Sequence, residues 1–337
     1  MKISVALCTY NGEKYITKQL NSIISQNVKP DEIVLCDDNS TDKTVSIAKK
    51  ILSKSGIKHY IYVNEHNEGC KSNFIKCYSR CSGDIIFSCD QDDVWIDDKI
   101  QVISSKFYED DKLVLCFSNA ELIDKDDISL NKTLLQTIGV VSGTVVNEKF
   151  YKRRLYGDTF GNFLVYGCCC AFKKDFFLKL LPFPEKWYFD SWIAICAPLY
   201  GDICYIDKNL VKYRQHENNH SGSIVSQQQR SESKITYDQR FKNPQLYCDF
   251  YKIFLRDKYN IMTKNDRKVI LHSIEFYGSL AKCKNKKKYK MIINIIKQYI
   301  TGNYSVYRGN IKCMISDIIF IIDMQRHNRL INDKTIK

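Results

Sequence analysis

The chain has 337 residues and an ordinary globular share of apolar ones, enough for one large domain or two modest ones. No run of about 18 apolar residues occurs, which argues against a bilayer-spanning helix, and Lys2 leads straight into Ile3–Leu7 and polar residues, so no secretory signal is read. The net charge of +13 is one-sided: from Arg230 onward 23 Lys and Arg stand against 9 Asp and Glu, while the first 229 residues are near balance.

The 15 cysteines are scattered, and Cys36, Cys89, Cys116 and Cys168-Cys169-Cys170 sit inside apolar strand candidates. With no Cys-x-x-Cys pair, they are expected to be small core hydrophobes in a reducing cytosol rather than zinc ligands.

In chain order, Ile3–Leu7 is a strand candidate. Lys14–Gln26 carries Tyr15, Ile16, Leu20, Ile23 and Ile24 on one helical face. Glu32–Cys36 is a second strand, and Ser40 or Thr41 is expected to cap a helix running to about Lys54. Ile57–Val63 is a third strand, Ser72–Cys81 a helix, and Ile85–Cys89 a buried strand that ends at Asp90-Gln91-Asp92-Asp93. Such alternation predicts an α/β fold with a mostly parallel sheet covered on both faces, whose ligands bind at the carboxyl ends of the strands. Cys8–Asn11, Asp37–Ser40 and the acidic tetrad then share one rim. Further on, Leu113–Ser118, Gly143–Val146 and Val165–Phe172 are strand candidates, Asp190 stands at the mouth of a helix, and Asp202–Asp207 resembles an edge strand. Tyr213–Gly222 has the composition of a loop.

Three carboxylates at the end of a core strand repel one another and lose hydration. A divalent cation with hard oxygen ligands, Mg2+ or Mn2+, is the usual remedy; a solvated acidic turn is the alternative. No G-x-G-x-x-G follows the first strand and no G-x-x-x-x-G-K-[ST] occurs, so the chain is neither a dinucleotide-binding nor a P-loop protein.

Ala6-Leu7-Cys8-Thr9-Tyr10-Asn11-Gly12, Asp37-Asp38-Asn39-Ser40-Thr41-Asp42, Asn67-Glu68-Gly69 and Cys89-Asp90-Gln91-Asp92-Asp93-Val94-Trp95 together resemble family 2 glycosyltransferases. With Asp190 before Trp192 and the run Tyr213-Arg214-Gln215-His216, the pattern is most similar to bacterial rhamnosyltransferase-type members. The resemblance implies a GT-A (Rossmann-like) catalytic domain over 1–226 and a basic helical C-terminal segment over 227–337. It implies an inverting, metal-dependent transferase that moves a sugar, rhamnose among the candidates, in bacterial surface polysaccharide synthesis. The donor is dTDP- or UDP-linked and the acceptor a glycan or a lipid-linked sugar. By the same resemblance Thr9, Tyr10 and Asn11 meet the nucleotide, and Asp38, with Asp37 as the alternative, accepts the base imide N–H. Asp90 serves the ribose, Asp92 the metal with Asp93 assisting or orienting its neighbours, and His216 completes the metal shell or touches the diphosphate. Arg214 pairs with phosphate. Asp190 is the general base, framed by Tyr188, Phe189 and Trp192. Glu217 stands where the family commonly has glycine. Bland alternatives are core packing for Tyr10, turn chemistry for the Asp pair, a helix cap for Asp190 and a solvated loop for His216.

The tail carries Lys282, Lys284, Lys286, Lys287 and Lys288 ahead of an apolar stripe in Lys290–Ile300, and a second stripe at Ile311, Met314, Ile315, Ile318, Ile319 and Ile322. Peripheral attachment to an anionic membrane on its cytoplasmic face, or packing on the catalytic domain, accounts for this pattern. With no nucleic-acid module, nucleic acid is not an expected partner. The rival function is a catalytically inactive, carbohydrate-binding scaffold of the same fold.

Overall fold

The computed structural model of the chain describes residues 1–138, 164–217, 219, 243–283, 286–300, 311, 314–319 and 321–322. Those up to 219 belong to one compact unit and those from 243 onward to another. The expected boundary at 226 and the expected strand Gly143–Val146 lie outside the described residues.

In the first unit β1 (Ile3–Thr9), β2 (Glu32–Asp37), β3 (Lys58–Val63) and β4 (Ile85–Cys89) run parallel in the order β3-β2-β1-β4. Helices α1 (Ile16–Ile24), α2 (Thr44–Leu52) and α3 (Cys70–Arg80) connect them. Every residue of β1, β2 and β4 is buried, as parallel strands with both faces covered require; edge strand β3 is half exposed. Val5, Leu7, Leu20, Ile33, Leu35, Phe87, Ile103 and Phe107 belong to the apolar core, each burial contributing about 1.5–3 kcal/mol. The order reverses between β1 and β4, so a crevice opens at their carboxyl ends.

After β4 come β5 (Val94–Trp95), α4 (Lys99–Glu109), β6 (Leu113–Ile123), β7 (Ser129–Thr133), α5 (Leu134–Thr137), β8 (Cys170–Lys173), α6 (Lys174–Leu178), α7 (Phe189–Cys196) and β9 (Asp202–Arg214). β8 joins β4 to β6 through antiparallel pairs, β6 and β9 are parallel, and β5 pairs antiparallel with β9. The sheet, of nine strands among the described residues, is thus half parallel and half mixed rather than mostly parallel.

Several local expectations are corrected. Helix α2 is capped by neither Ser40 nor Thr41. It starts at Thr44, whose N–H donates to Asp42 Oδ1 at 2.9 Å, while Ser40 is drawn back to Asp37. Among the described residues Asp202–Asp207 pairs on one side only, with β6, as expected of an edge, but β9 runs on to Arg214, meeting β5 at Val211 and Lys212 and taking in the first residues expected to be loop. Val165–Phe172 is a 3-10 turn, Gly167–Cys169, before the short β8.

The second unit is helical, with α8 (Pro244–Lys258), α9 (Lys264–Cys283) and α10 (Lys288–Ile300). Tyr277 of α9 packs against Tyr247 and Tyr251 of α8, with ring centroids 5.4 and 5.9 Å away. In the last described helical segment Asp317 and Ile321 are buried, whereas Ile311, Ile315 and Ile319 of the expected apolar stripe are exposed. No helix among the described residues is long and apolar enough to cross a membrane.

Candidate active site

The ends of β1 and β2 are tied together before anything reaches the crevice. The buried Thr9 hydroxyl donates to Asp37 Oδ2 at 2.6 Å, and Asp37 also accepts from the Ser40 N–H and hydroxyl. Thr9 and Asp37 are therefore spent on each other, and the expectation that Thr9 meets a base is corrected. Asp38 is buried and accepts from Asn64 Nδ2, Glu68 N–H and Gly69 N–H at 2.8–2.9 Å. A carboxylate offers about four acceptor positions, so about one is left for a ligand. Asn11 takes a left-handed φ of 46° and binds Ser40 and Thr41 through its N–H and its side-chain oxygen. Tyr10, in contrast, is exposed.

Gln91 joins the tetrad to this rim: its Oε1 accepts from Tyr10 N–H at 2.8 Å and its Nε2 donates to Tyr10 O at 2.9 Å. A Cβ on Gly12 would lie 2.1 Å from Gln91 Oε1. Gly12→Ala should therefore eject Gln91 and weaken the nucleotide binding that the resemblance implies about tenfold, the value of one or two exposed hydrogen bonds, in isothermal titration. Unchanged affinity would show that Gln91 re-seats without loss.

The other side of the tetrad is built by β9. Its pairing with β5, Val94 opposite Lys212, brings the Arg214 N–H to Asp93 Oδ1 at 3.0 Å. Arg214 is fully buried. Its Nε donates to Asp92 O at 2.7 Å, its Nη1 to Asp124 O at 3.1 Å, and its guanidinium pairs with Asp127. The expected phosphate contact is thus corrected: the guanidinium is buried and held by the chain. His216 Nε2 meets Asp92 Oδ2 at 2.8 Å. Tyr15 holds this corner, its ring stacked on His216 with centroids 5.1 Å apart and the Arg214 guanidinium 4.7 Å from its centroid.

Asp190 opens α7, half-buried, and its Oδ1 accepts from Ser191 N–H at 2.6 Å. Burial raises its pKa although the Ser191 and Gly167 N–H groups oppose the shift. Phe189 stacks on Phe74 with centroids 4.3 Å apart, and Trp192 is buried with its Nε1 donating to Leu180 O. Of the three expected framing rings, only Tyr188 is exposed. The charges of Asp190 and Asp92 both push Asp90 upward, so the three acids feel one another.

The family model for glycosyl transferase family 2 matches residues 4–181, more than half of the chain. The chain belongs to that family. This transferase is 29% identical over 233 residues to the dTDP-rhamnosyl transferase RfbG of Shigella flexneri, covering 65% of this chain and 75% of that one. Its fold matches that of Staphylococcus aureus TarS 1–349 in complex with UDP-GlcNAc, at a TM-score of 0.58 and 17% identity over 97% of this chain and 92% of that one. It also matches the mannosyltransferase PcManGT from Pyrobaculum calidifontis in complex with GDP-Man and Mn2+, at 0.56 and 14% over 90% and 77%. The expected GT-A fold is borne out.

The transferase's acids suit a hard cation, though grouped differently from the expected Asp92, Asp93 and His216. Among the described residues, ligand atoms of Asp90, Asp93 and Cys168 come within 4.8 Å of one another, while Asp92 is paired with His216. Asp93 is buried, and its Oδ2 has no hydrogen-bond partner among the described residues. Burial and the Asp92 and Asp90 charges raise its pKa, so the acids need positive charge. A hydrogen bond with Cys169 and burial keep the Cys168 thiol protonated, which leaves the carboxylates as the ligands. Lys99 was not anticipated. Its buried ammonium donates to Cys168 O at 2.7 Å, lies 3.7 Å from the Trp95 ring centroid, and lowers the Asp90 pKa. The Trp95-x-x-x-Lys99 spacing was the available signal; Tyr15 left none, since a helical stripe marks it only as core.

Burial first, then Asp92 and Asp190, raise Asp90 from 3.8 to about 7 in the metal-free transferase. Between those values the folded chain holds a proton that the unfolded chain has released, so this acid's contribution to stability falls as pH rises from about 4 through about 7. A cation competes with that proton. In calorimetry Mn2+ should raise the melting temperature more at about pH 8 than at about pH 5; equal rises would remove Asp90 from the cation site.

Proposed function

We propose that this glycosyltransferase moves a hexosyl unit, rhamnose among the candidates, from a dTDP- or UDP-linked donor to a glycan or lipid-linked acceptor in bacterial surface polysaccharide synthesis. The observation that carries the reading is the electrostatic coupling of two acidic systems: the tetrad after β4, whose Asp93 oxygen is unpartnered among the described residues, and the half-buried Asp190. The likeness to RfbG and to TarS with UDP-GlcNAc supports a nucleotide-sugar donor.

Tyr10 offers an exposed ring to the base, and Asn11 and the one free acceptor position of Asp38 stand beside it. Asp90 and Asp93 hold the cation, Mg2+ or Mn2+, with Asp92 and its partner His216 at its edge; the Mn2+ in the PcManGT complex supports a divalent cation. A cation bound there neutralises the diphosphate and stabilises the departing nucleoside diphosphate. Asp190 takes the proton of the acceptor hydroxyl as that oxygen attacks the anomeric carbon. One base without a second nucleophile among the described residues supports a single displacement with inversion. The enzyme works in the cytoplasm, at the inner face of the membrane that bears its acceptor.

The test is a thermal-shift screen with dTDP, UDP and GDP, each with and without Mn2+, followed by product stereochemistry. Metal-dependent stabilisation by one nucleotide and an inverted product are expected. No shift with any nucleotide, or retention at the anomeric carbon, overturns the reading.

A further inference from the structure

Helix α10 of the second unit has two apolar faces. Met291, Ile295 and Gln298, at i, i+4 and i+7, are buried. On the opposite side Tyr289, Ile293, Ile296 and Ile300, at i, i+4, i+7 and i+11, form a second stripe whose members are between 39% and 78% exposed. An ordinary surface helix gives its outer face to charged and polar side chains. The next described helical segment repeats the departure, with Ile311, Ile315 and Ile319 exposed at i, i+4 and i+8. Exposed Lys290 and Lys297 stand about a quarter turn from the centre of the α10 stripe, and exposed Lys286 and Lys287 precede the helix. Between Phe276 and Ser316 the chain has nine Lys and Arg and no Asp or Glu.

We propose that this face docks on an anionic bilayer, with the isoleucines among the upper acyl chains and the lysines at the headgroups. An amphipathic helix lying in the interface needs both an apolar stripe and flanking cations. A phosphodiester backbone would use the lysines and leave the isoleucine row in water. Pairing with a second copy would set one cationic stretch against another. The docking deepens the placement of the acceptor at a membrane and rests on that reading for its purpose.

The full chain is floated with vesicles of phosphatidylcholine alone or with about one-third phosphatidylglycerol. Binding only to the anionic vesicles, weakened by salt, is expected. Lys290→Glu with Lys297→Glu should lower partitioning at least about tenfold, and Ile293→Asp with Ile296→Asp by a similar factor. All four side chains are exposed, so melting curves should move little. Donor hydrolysis in solution should also be unchanged, which separates failure of the docking from failure of the transferase reading. Equal binding to both vesicle types, or binding that survives both double substitutions, overturns the proposal. So does self-association in solution, or RNA binding, that these substitutions abolish while anionic vesicles are not bound.

Discussion

Asp190→Asn should lower the transfer rate about 10²–10⁴-fold, the usual contribution of a positioned general base. The carboxamide matches the carboxylate in size and keeps an oxygen to accept the Ser191 N–H, so the start of α7 is retained. What disappears is the proton acceptor. Nucleotide binding with Mn2+, followed by thermal shift, should therefore survive while steady-state transfer collapses. The pH profile gives a second readout. Burial raises the pKa of Asp190, so the wild-type rate should climb as pH rises through that raised value and the base ionises. The residual activity of the variant should lack that limb. Loss of nucleotide binding, or an unchanged rate, would take Asp190 out of the role of base.

Arg214→Ala should destabilise the first unit by about 3 kcal/mol, at the lower end for breaking a buried ion pair because Asp127 keeps part of its solvent. At about 2–4 °C per kcal/mol for a domain of this size, the melting temperature should fall by roughly 6–12 °C. The carbonyls of Asp92 and Asp124 lose their donors, and Tyr15 loses the cation over its ring. Arg214→Lys should recover little, because one ammonium cannot serve two carbonyls and a carboxylate from the positions of a planar fork. A phosphate-binding arginine behaves otherwise: its loss raises KM and leaves the melting temperature alone. Calorimetry and steady-state kinetics on the same two variants separate these roles.

The misassignment of Arg214 has a definite cause. A Tyr-Arg-Gln-His run in a polar, aperiodic stretch has the composition of a loop, and an arginine in a loop beside a diphosphate site suggests a phosphate contact. In the fold Tyr213 and Arg214 are the last residues of a thirteen-residue strand, and Arg214 receives its partners from segments 90 and 122 positions away. No local pattern records such distances. Phe189 and Trp192 failed as framing rings for a related reason: an aromatic beside an acid has the same sequence signature whether it lines a cleft or fills the core. Phe74 and Leu180, remote in sequence, decide between the two.

By itself the sequence determined the alternation of β1 to β4 with their helices, the family, and the rim on which Tyr10, Asp38 and the acidic tetrad lie. These follow from periodicity and from parallel pairing, which brings strand ends to one edge whatever the remaining contacts are. Only the tertiary structure decided which acids meet. It set Asp90 and Asp93 beside the buried Lys99 and Asp92 against His216. It also turned Thr9, Asp37 and Arg214 inward and left the isoleucine stripe of α10 exposed. The physical reason is one of direction. Side chains at strand ends and in turns are aimed by partners that only folding supplies, and every apolar stripe looks like core until the other side of the helix is seen to be buried instead.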